Sequence, residues 1–224
     1  MKRLPTSNSS VGEFLETAKR FPIPSESQTR LIFAMDATQS RKPTWDLATS
    51  LHAELFATAR QEDLGVQLVY YRGSNEFHTT HWSDSASALL QTMQQVQCYA
   101  GITQISRVLS HTIREAHVST LKALAFVGDA CEEDPQMLYE LAGQLALYRL
   151  PAFMFQEGHN PRVAEVFAGI AQITNGAHIP FQPGSAQQFA ELLRAVAAYA
   201  TGGVDALKKL RGKFTQRLLE QLQK

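Results

Sequence analysis

The sequence predicts an α/β fold: a Rossmann-like, doubly wound, mostly parallel sheet with one antiparallel edge strand and helices on both faces. Three observations carry this. Apolar runs of strand length recur at Leu31 to Met35, Ala123 to Val127 and Pro151 to Phe155, the pattern of strands covered on both sides. Stretches of helical periodicity follow them, and strand and helix then alternate almost to the end of the chain. The first two runs stop abruptly at a carboxylate, Asp36 and Asp129, so polar groups are delivered at strand ends.

A chain of 224 residues suits one full α/β domain with extensions and is short for two. Lys plus Arg and Asp plus Glu balance at 21 each. A protein that neutralises phosphates carries a basic excess, so nucleic acid is not the expected ligand. The start, MKRLPTSNSSVGEFL, is basic but lacks the apolar stretch of a signal peptide. No run approaches the roughly 20 apolar residues of a membrane span. Two cysteines, Cys98 and Cys131, make neither a disulfide framework nor a zinc site. The expectation is a cytoplasmic protein, monomeric, with no membrane partner.

In chain order, residues 1–27 read as an N-terminal arm and short helix, capped by Ser9 or Ser10 before Val11, Phe14 and Leu15, and broken by Pro22 and Pro24. The main domain spans residues 28–200. After the first strand, Pro43 suits a first helical turn, and Ala48, Leu51, Leu55 and Ala59 follow at helical spacing. Val66 to Arg72 pairs across the turn Gly73-Ser74-Asn75 with Glu76 to Trp82 as an antiparallel hairpin. Leu89, Leu90, Met93 and Val96 mark one helix; Ile105, Val108, Leu109, Thr112, Ile113 and Ala116 mark another. Pro135 opens the helix after the second apolar strand. Val163, Val166, Phe167 and Ile170 form the helix after the third, stopped by Asn175-Gly176. A last strand, Ala177 to Phe181, leads to a helix from Ser185 to about Ala200.

Gly202-Gly203 separates a C-terminal amphipathic basic helix over residues 201–224, with Leu207, Leu210, Phe214, Leu218 and Leu222 on one stripe and Lys208, Lys209, Arg211, Lys213 and Arg217 around it. Docking of that stripe on the sheet is the favoured reading over a partner-binding or dimerising helix.

The chemistry concentrates at Asp36, Thr38 and Ser40, one carboxylate and two hydroxyls at alternate positions. These are hard oxygen donors suited to Mg²⁺ or Mn²⁺. Right-handed crossovers place the first strand beside the Ala123 strand, at the point where strand order reverses, so Asp129 faces the same crevice. Two carboxylates meeting there without a counter-charge repel, and a divalent cation relieves that conflict. Thr103, in the loop before an amphipathic helix, adds a third hydroxyl.

Asp36-Ala-Thr38-Gln-Ser40, Thr103 within GITQI, and Asp129 after a buried strand together resemble the metal-ion-dependent adhesion site (MIDAS) of von Willebrand factor type A (VWA) domains, of the intracellular bacterial type. The resemblance extends over about residues 28 to 200, including the hairpin and the ITNGAHIPF stretch. It implies Thr38, Ser40 and Thr103 as direct ligands, with Asp36 and Asp129 binding directly or through water. It implies a binding module and no catalysis: a metal-dependent protein-protein interaction in which the cation takes an Asp or Glu from another protein. Thr38 stands where the family usually has serine. Ile102 and Ala130 stand where it often has glycine, which bears on rim shape and partner choice. Gln39, Arg41 and Lys42 are the expected partner-binding rim, their basic groups favouring an acidic partner.

Two rival readings compete. A haloacid dehalogenase-like phosphotransferase would use Asp36 as nucleophile with Lys122, Gly128-Asp129 and Glu133, but Thr38 stands where its second acid is needed. Alternatively, the C-terminal helix is the functional surface of a scaffold without metal. His78 and His81 point to opposite faces of a strand and share no metal. Trp45, Trp82, Tyr70 and Tyr71 read as packing residues. Cys98 and Cys131 flank the metal-site loops and are expected as buried thiols, a redox switch being the alternative.

Overall fold

The computed structural model describes residues 29–55 and 64–222; the expected N-terminal arm and helix, and Ala59 of the first helix, lie outside them. Six strands form one sheet in the order β3-β2-β1-β4-β5-β6. They are β1 (Thr29–Asp36), β2 (Leu64–Arg72), β3 (Glu76–Thr79), β4 (Leu121–Gly128), β5 (Ala152–Glu157) and β6 (Ala177–Phe181). All neighbours pair in parallel except β2 with β3. The helices are α1 (Lys42–Leu51), α2 (Ala86–Gln95), α3 (Ile105–Val118), α4 (Pro135–Leu147), α5 (Pro161–Ile173), α6 (Ala186–Leu207) and α7 (Lys213–Leu222). The predicted fold class is the observed one.

Leu31 to Asp36 of β1 are all buried, and successive side chains enter opposite cores, as a strand covered on both faces requires. Leu31, Phe33 and Met35 face a core shared with Trp45 of α1, Leu89 and Met93 of α2, and Phe189, Leu192 and Val196 of α6. Ile32 and Ala34 face the other, with Ile105 and Leu109 of α3, Leu138 of α4 and Phe167 of α5. Strand order reverses between β1 and β4, whose parallel register pairs Met35 with Val127. The crevice at their carboxyl ends is therefore where the fold leaves room for a ligand. Among the described residues no helix is long and apolar enough to cross a membrane.

Three details differ from expectation. The hairpin partner stops at Thr79 instead of Trp82. The ladder resumes only as a single bridge between Val66 and Ser83, one residue out of step with the pairing of Val69 and Thr79, which is the displacement a bulge introduces. The helix after β6 continues past Ala200 to Leu207 and is kinked where Gly202 and Gly203 leave helical geometry, Gly203 at a φ of 61°. The C-terminal segment is not one continuous helix. It turns at Lys208 to Gly212, and α7 starts afresh at Lys213, its first amides Phe214 N and Thr215 N donating to the Glu191 carboxylate of α6 at 2.7 and 3.0 Å.

The apolar stripe docks nonetheless. Leu207, Phe214 and Leu218 are buried in the sheet core, with Leu210 and Leu222 packed against it. Near its end α7 pins the outer strand β6: the Gln221 amide donates to His178 O and accepts from His178 N, both at 2.9 Å. This covers the free side of an edge strand that also carries Pro180.

Candidate metal centre

Asp36 closes β1 and its side chain is buried, relative exposure 0%. Its Oδ1 accepts from Thr38 N at 2.7 Å, a local turn that swings the next residues over the strand end. The Trp45 indole donates to Asp36 O at 3.0 Å, fixing the backbone from α1. Asp36 Oδ2 has no hydrogen-bond partner. Burial pushes the carboxyl up to about 6, against the opposing pull of Thr38 and Arg41, so a charge held here is costly unless something positive joins it.

Thr38 Oγ1 and Ser40 Oγ lie 3.3 Å apart. Thr103 comes from the loop before α3. Its N–H donates to the Glu132 carboxylate at 2.9 Å, and its hydroxyl accepts from Glu132 N at 3.1 Å. This reciprocal clamp ties the Thr103 loop to the loop after β4. The adjacent Glu133 caps α3 by accepting from Ile105 N and Ser106 N. From the other side, the β2–β3 turn presses on the same loop: Gly73 adopts a φ of 58°, and a Cβ on Gly101 would meet the Gly73 carbonyl oxygen at 2.1 Å. Only glycine fits at 101.

Asp36, Thr38, Ser40 and Thr103 line one cleft of about 200 Å³, together with Gln39, Ala100, Gly101, Ala130 and Glu132. Asp129, the fifth expected ligand, is not among the residues that line the cleft. Its Oδ1 is buried without a hydrogen-bond partner and sits 3.9 Å from Arg41 Nε. Among the described residues no three His, Cys, Asp or Glu gather as a conventional metal cluster. The cleft's donors are hydroxyls and carboxylates, a set that suits a hard cation and excludes soft-metal chemistry.

Arg41 does not belong to the rim. Within the 3₁₀ turn Gln39–Arg41, Gln39 and Ser40 are exposed while the Arg41 side chain is buried, 0% exposed. It ion-pairs with Glu157 at the end of β5. The Thr44 hydroxyl lies 2.7 and 2.6 Å from the two Glu157 oxygens and donates to that carboxylate. Burial pulls the guanidinium below its ordinary value, opposed by Asp129 and Asp36. The counter-charge that the sequence argument assigned to a metal alone is thus supplied in part by the chain. Gln39 and Lys42 are exposed as expected, Lys42 paired with Asp46 at 2.8 Å.

Sequence reasoning missed Glu157, Thr44, Tyr71 and Glu132. Tyr71 pairs with Asp36 across β1 and β2. Its buried hydroxyl completes no well-formed hydrogen bond, and burial, with the neighbouring Asp36 charge and a side-chain interaction with that carboxyl, pushes it well above its usual value. Glu157 had a readable signal, a carboxylate closing an apolar strand as Asp36 does. The phosphotransferase constellation does not assemble: Lys122 lies at the start of β4, the opposite end from Asp129, and Glu133 is engaged as a helix cap. Cys98 and Cys131 are free thiols. Burial raises both, Cys98 to about 11, away from the reactive thiolate.

No protein-family model and no curated protein matches the chain. Solved structures do. A von Willebrand factor type A protein from Catenulispora acidiphila aligns over 79% of this chain with a TM-score of 0.65 and 15% identity, the match spanning 43% of that protein. An aerotolerance-related membrane protein from Bacteroides fragilis aligns over 75% of this chain and 98% of its own, with a TM-score of 0.58 and 12% identity. The SpRpn10 VWA domain aligns over 76% and 94%, with a TM-score of 0.56 and 10% identity. At such identities the likeness is one of architecture: the chain has the VWA fold.

Proposed function

We propose that this domain is a metal-dependent protein-interaction module of the MIDAS type. Thr38, Ser40 and Thr103 would hold Mg²⁺ or Mn²⁺ through their hydroxyls, and Asp36 and Asp129 through carboxylates or intervening water. The observation that carries the reading is the fully buried Asp36 Oδ2, without a hydrogen-bond partner, in a cleft that Thr38, Ser40 and Thr103 also line. A buried carboxylate oxygen without a donor is expensive, and a cation is what that oxygen lacks. When bound, a divalent cation supplies an exposed coordination position at which a carboxylate can displace water.

The chain's own residues do the rest. The Thr38 amide orients Asp36, the Glu132 clamp holds the Thr103 hydroxyl at the cleft wall, and Gln39 stands exposed at the mouth. Ile102, 53% exposed, and Tyr99, 44% exposed, flank the Thr103 side, so the mouth offers apolar contacts beside the cation. A protein presenting an Asp or Glu next to an apolar side chain suits it. Calorimetric titration of Mg²⁺ and Mn²⁺ into metal-stripped wild type and the Asp36→Asn, Ser40→Ala double variant tests the reading. Saturable binding by wild type, lost in the variant, supports it; absence of binding by wild type overturns it.

A further inference from the structure

Three strand ends bring three carboxylates to the same end of the sheet. The register pairs Met35 with Val127 and Gly128 with Gln156, so Asp129 and Glu157 come side by side while Asp36, level with Gly128, ends one residue short of them, and the three make a staggered row. Asp36 and Glu157 are 0% and 8% exposed, and the Asp129 side chain 28%. Such a row is unstable as three bare anions. The chain answers with Arg41, pulled under the row by the 3₁₀ turn that also sets Ser40 at the cleft. One edge of the guanidinium engages Glu157, and Nε faces Asp129 Oδ1 at 3.9 Å. Nε and Nη2 have no hydrogen-bond partner although the side chain is wholly buried. Arg41 is therefore held there by charge more than by a completed hydrogen-bond set.

From this arrangement we infer that Arg41 is a tethered resident cation that sets the cleft's affinity for a divalent ion. It takes up the charge of Glu157 and shares that of Asp129, which leaves Asp36, reached by Arg41 only through its field, as the carboxylate with no ion pair of its own. Two consequences follow. The fold does not depend on metal, because the carboxylate row is already partly neutralised. An incoming cation meets a fixed positive charge behind Asp129 and binds less tightly than it would to the same oxygen donors alone. A charge a few ångströms away in a partly buried site is enough to change affinity about tenfold or more. The first consequence stands by itself; the second rests on the reading of the cleft as a cation site.

The test uses the full chain as wild type, Arg41→Gln, Glu157→Gln and the Arg41→Gln, Glu157→Gln double variant. In chelator, Arg41→Gln is expected to melt well below wild type, and the double variant to recover a large part of the loss. A double variant no more stable than Arg41→Gln overturns the counter-charge role. Calorimetry with Mg²⁺ and Mn²⁺ then compares Glu157→Gln with the double variant, which differ only in the cation. At least tenfold tighter binding by the double variant is expected, and equal affinities overturn the inference. Binding by the double variant but not by wild type supports Arg41's role while counting against a working metal site in the native domain. If no protein binds metal, the affinity-setting role falls with the cation reading, and the melting experiment still decides the counter-charge role.

Discussion

The seam between β6 and α7 and the cleft beyond β1 and β4 bury polar groups in opposite ways. At the seam, Gln221 satisfies both main-chain groups of His178. The His178 ring bonds Gln156 Oε1 at 2.9 Å, and Gln156 Nε2 donates to Asn160 O at 2.8 Å. Burial pulls the His178 ring down to about 4, so at neutral pH it takes part as an uncharged group. Thr215 Oγ1 is the exception, buried without a partner. At the cleft, Asp36 Oδ2, Asp129 Oδ1, two Arg41 nitrogens and the Tyr71 hydroxyl all lack partners. The seam spends its polar groups on holding the last helix to the sheet. The cleft keeps its own uncommitted, and a fold tolerates that where a ligand is to be met.

The largest expected effect comes from breaking the cleft's internal pair. Glu157→Ala leaves Arg41 buried with its main counter-ion gone, and urea unfolding is expected to show a loss of about 3–5 kcal/mol. A loss under about 1 kcal/mol would mean that Asp129 and Asp36 suffice to balance the guanidinium.

Asp36→Asn sharpens the contrast from the other direction. The wild-type carboxyl titrates at about 6 in the folded state against an ordinary value of 3.8. The folded protein therefore holds the proton more tightly than the unfolded chain. The stability linked to this group is fully present below pH 3.8 and is lost as pH rises through about 6. In chelator, Asn at this position is expected to stabilise the protein by about 1–3 kcal/mol above pH 6 and to make no difference below pH 3.8. A variant that is less stable than wild type at pH 7.5 would show that the carboxylate is already paired.

The smallest effect belongs to the satisfied seam. Gln221→Leu removes both bonds to His178 but leaves the apolar stripe of α7 in place, and a loss of about 1 kcal/mol is expected in thermal or urea melts. Faster hydrogen exchange at the His178 amide would accompany it.

The scaffold was legible because its central strands β1, β4 and β5 are buried on both faces and read as unbroken apolar runs. Topology then placed Asp36 beside Asp129 before any coordinates. Thr38, Ser40 and Thr103 were legible as oxygen donors in loops, and the structure brings them to the cleft with Asp36. Arg41 was misread because a basic residue beside two hydroxyls ordinarily points to solvent. Its burial depends on the direction in which a single 3₁₀ turn closes, and on Glu157, more than a hundred residues away. The break at Gly212 was hidden by a leucine stripe that keeps helical spacing across it. A pattern of apolar positions reports which side of a segment is buried, and stays silent on whether the backbone between them is continuous.

The contact between Gly101 and Gly73 ties the sheet's outer edge to the cleft. The β2–β3 turn abuts the Thr103 loop at a separation no side chain could share. Ile102 N donates to Gly73 O at 3.3 Å, the Gln104 amide reaches Arg72 O and Glu76 O, and Arg107 holds Asn75. A side chain at position 101 would force the turn away from the wall that carries Thr103, so the edge hairpin and the cleft are built on one shared backbone contact.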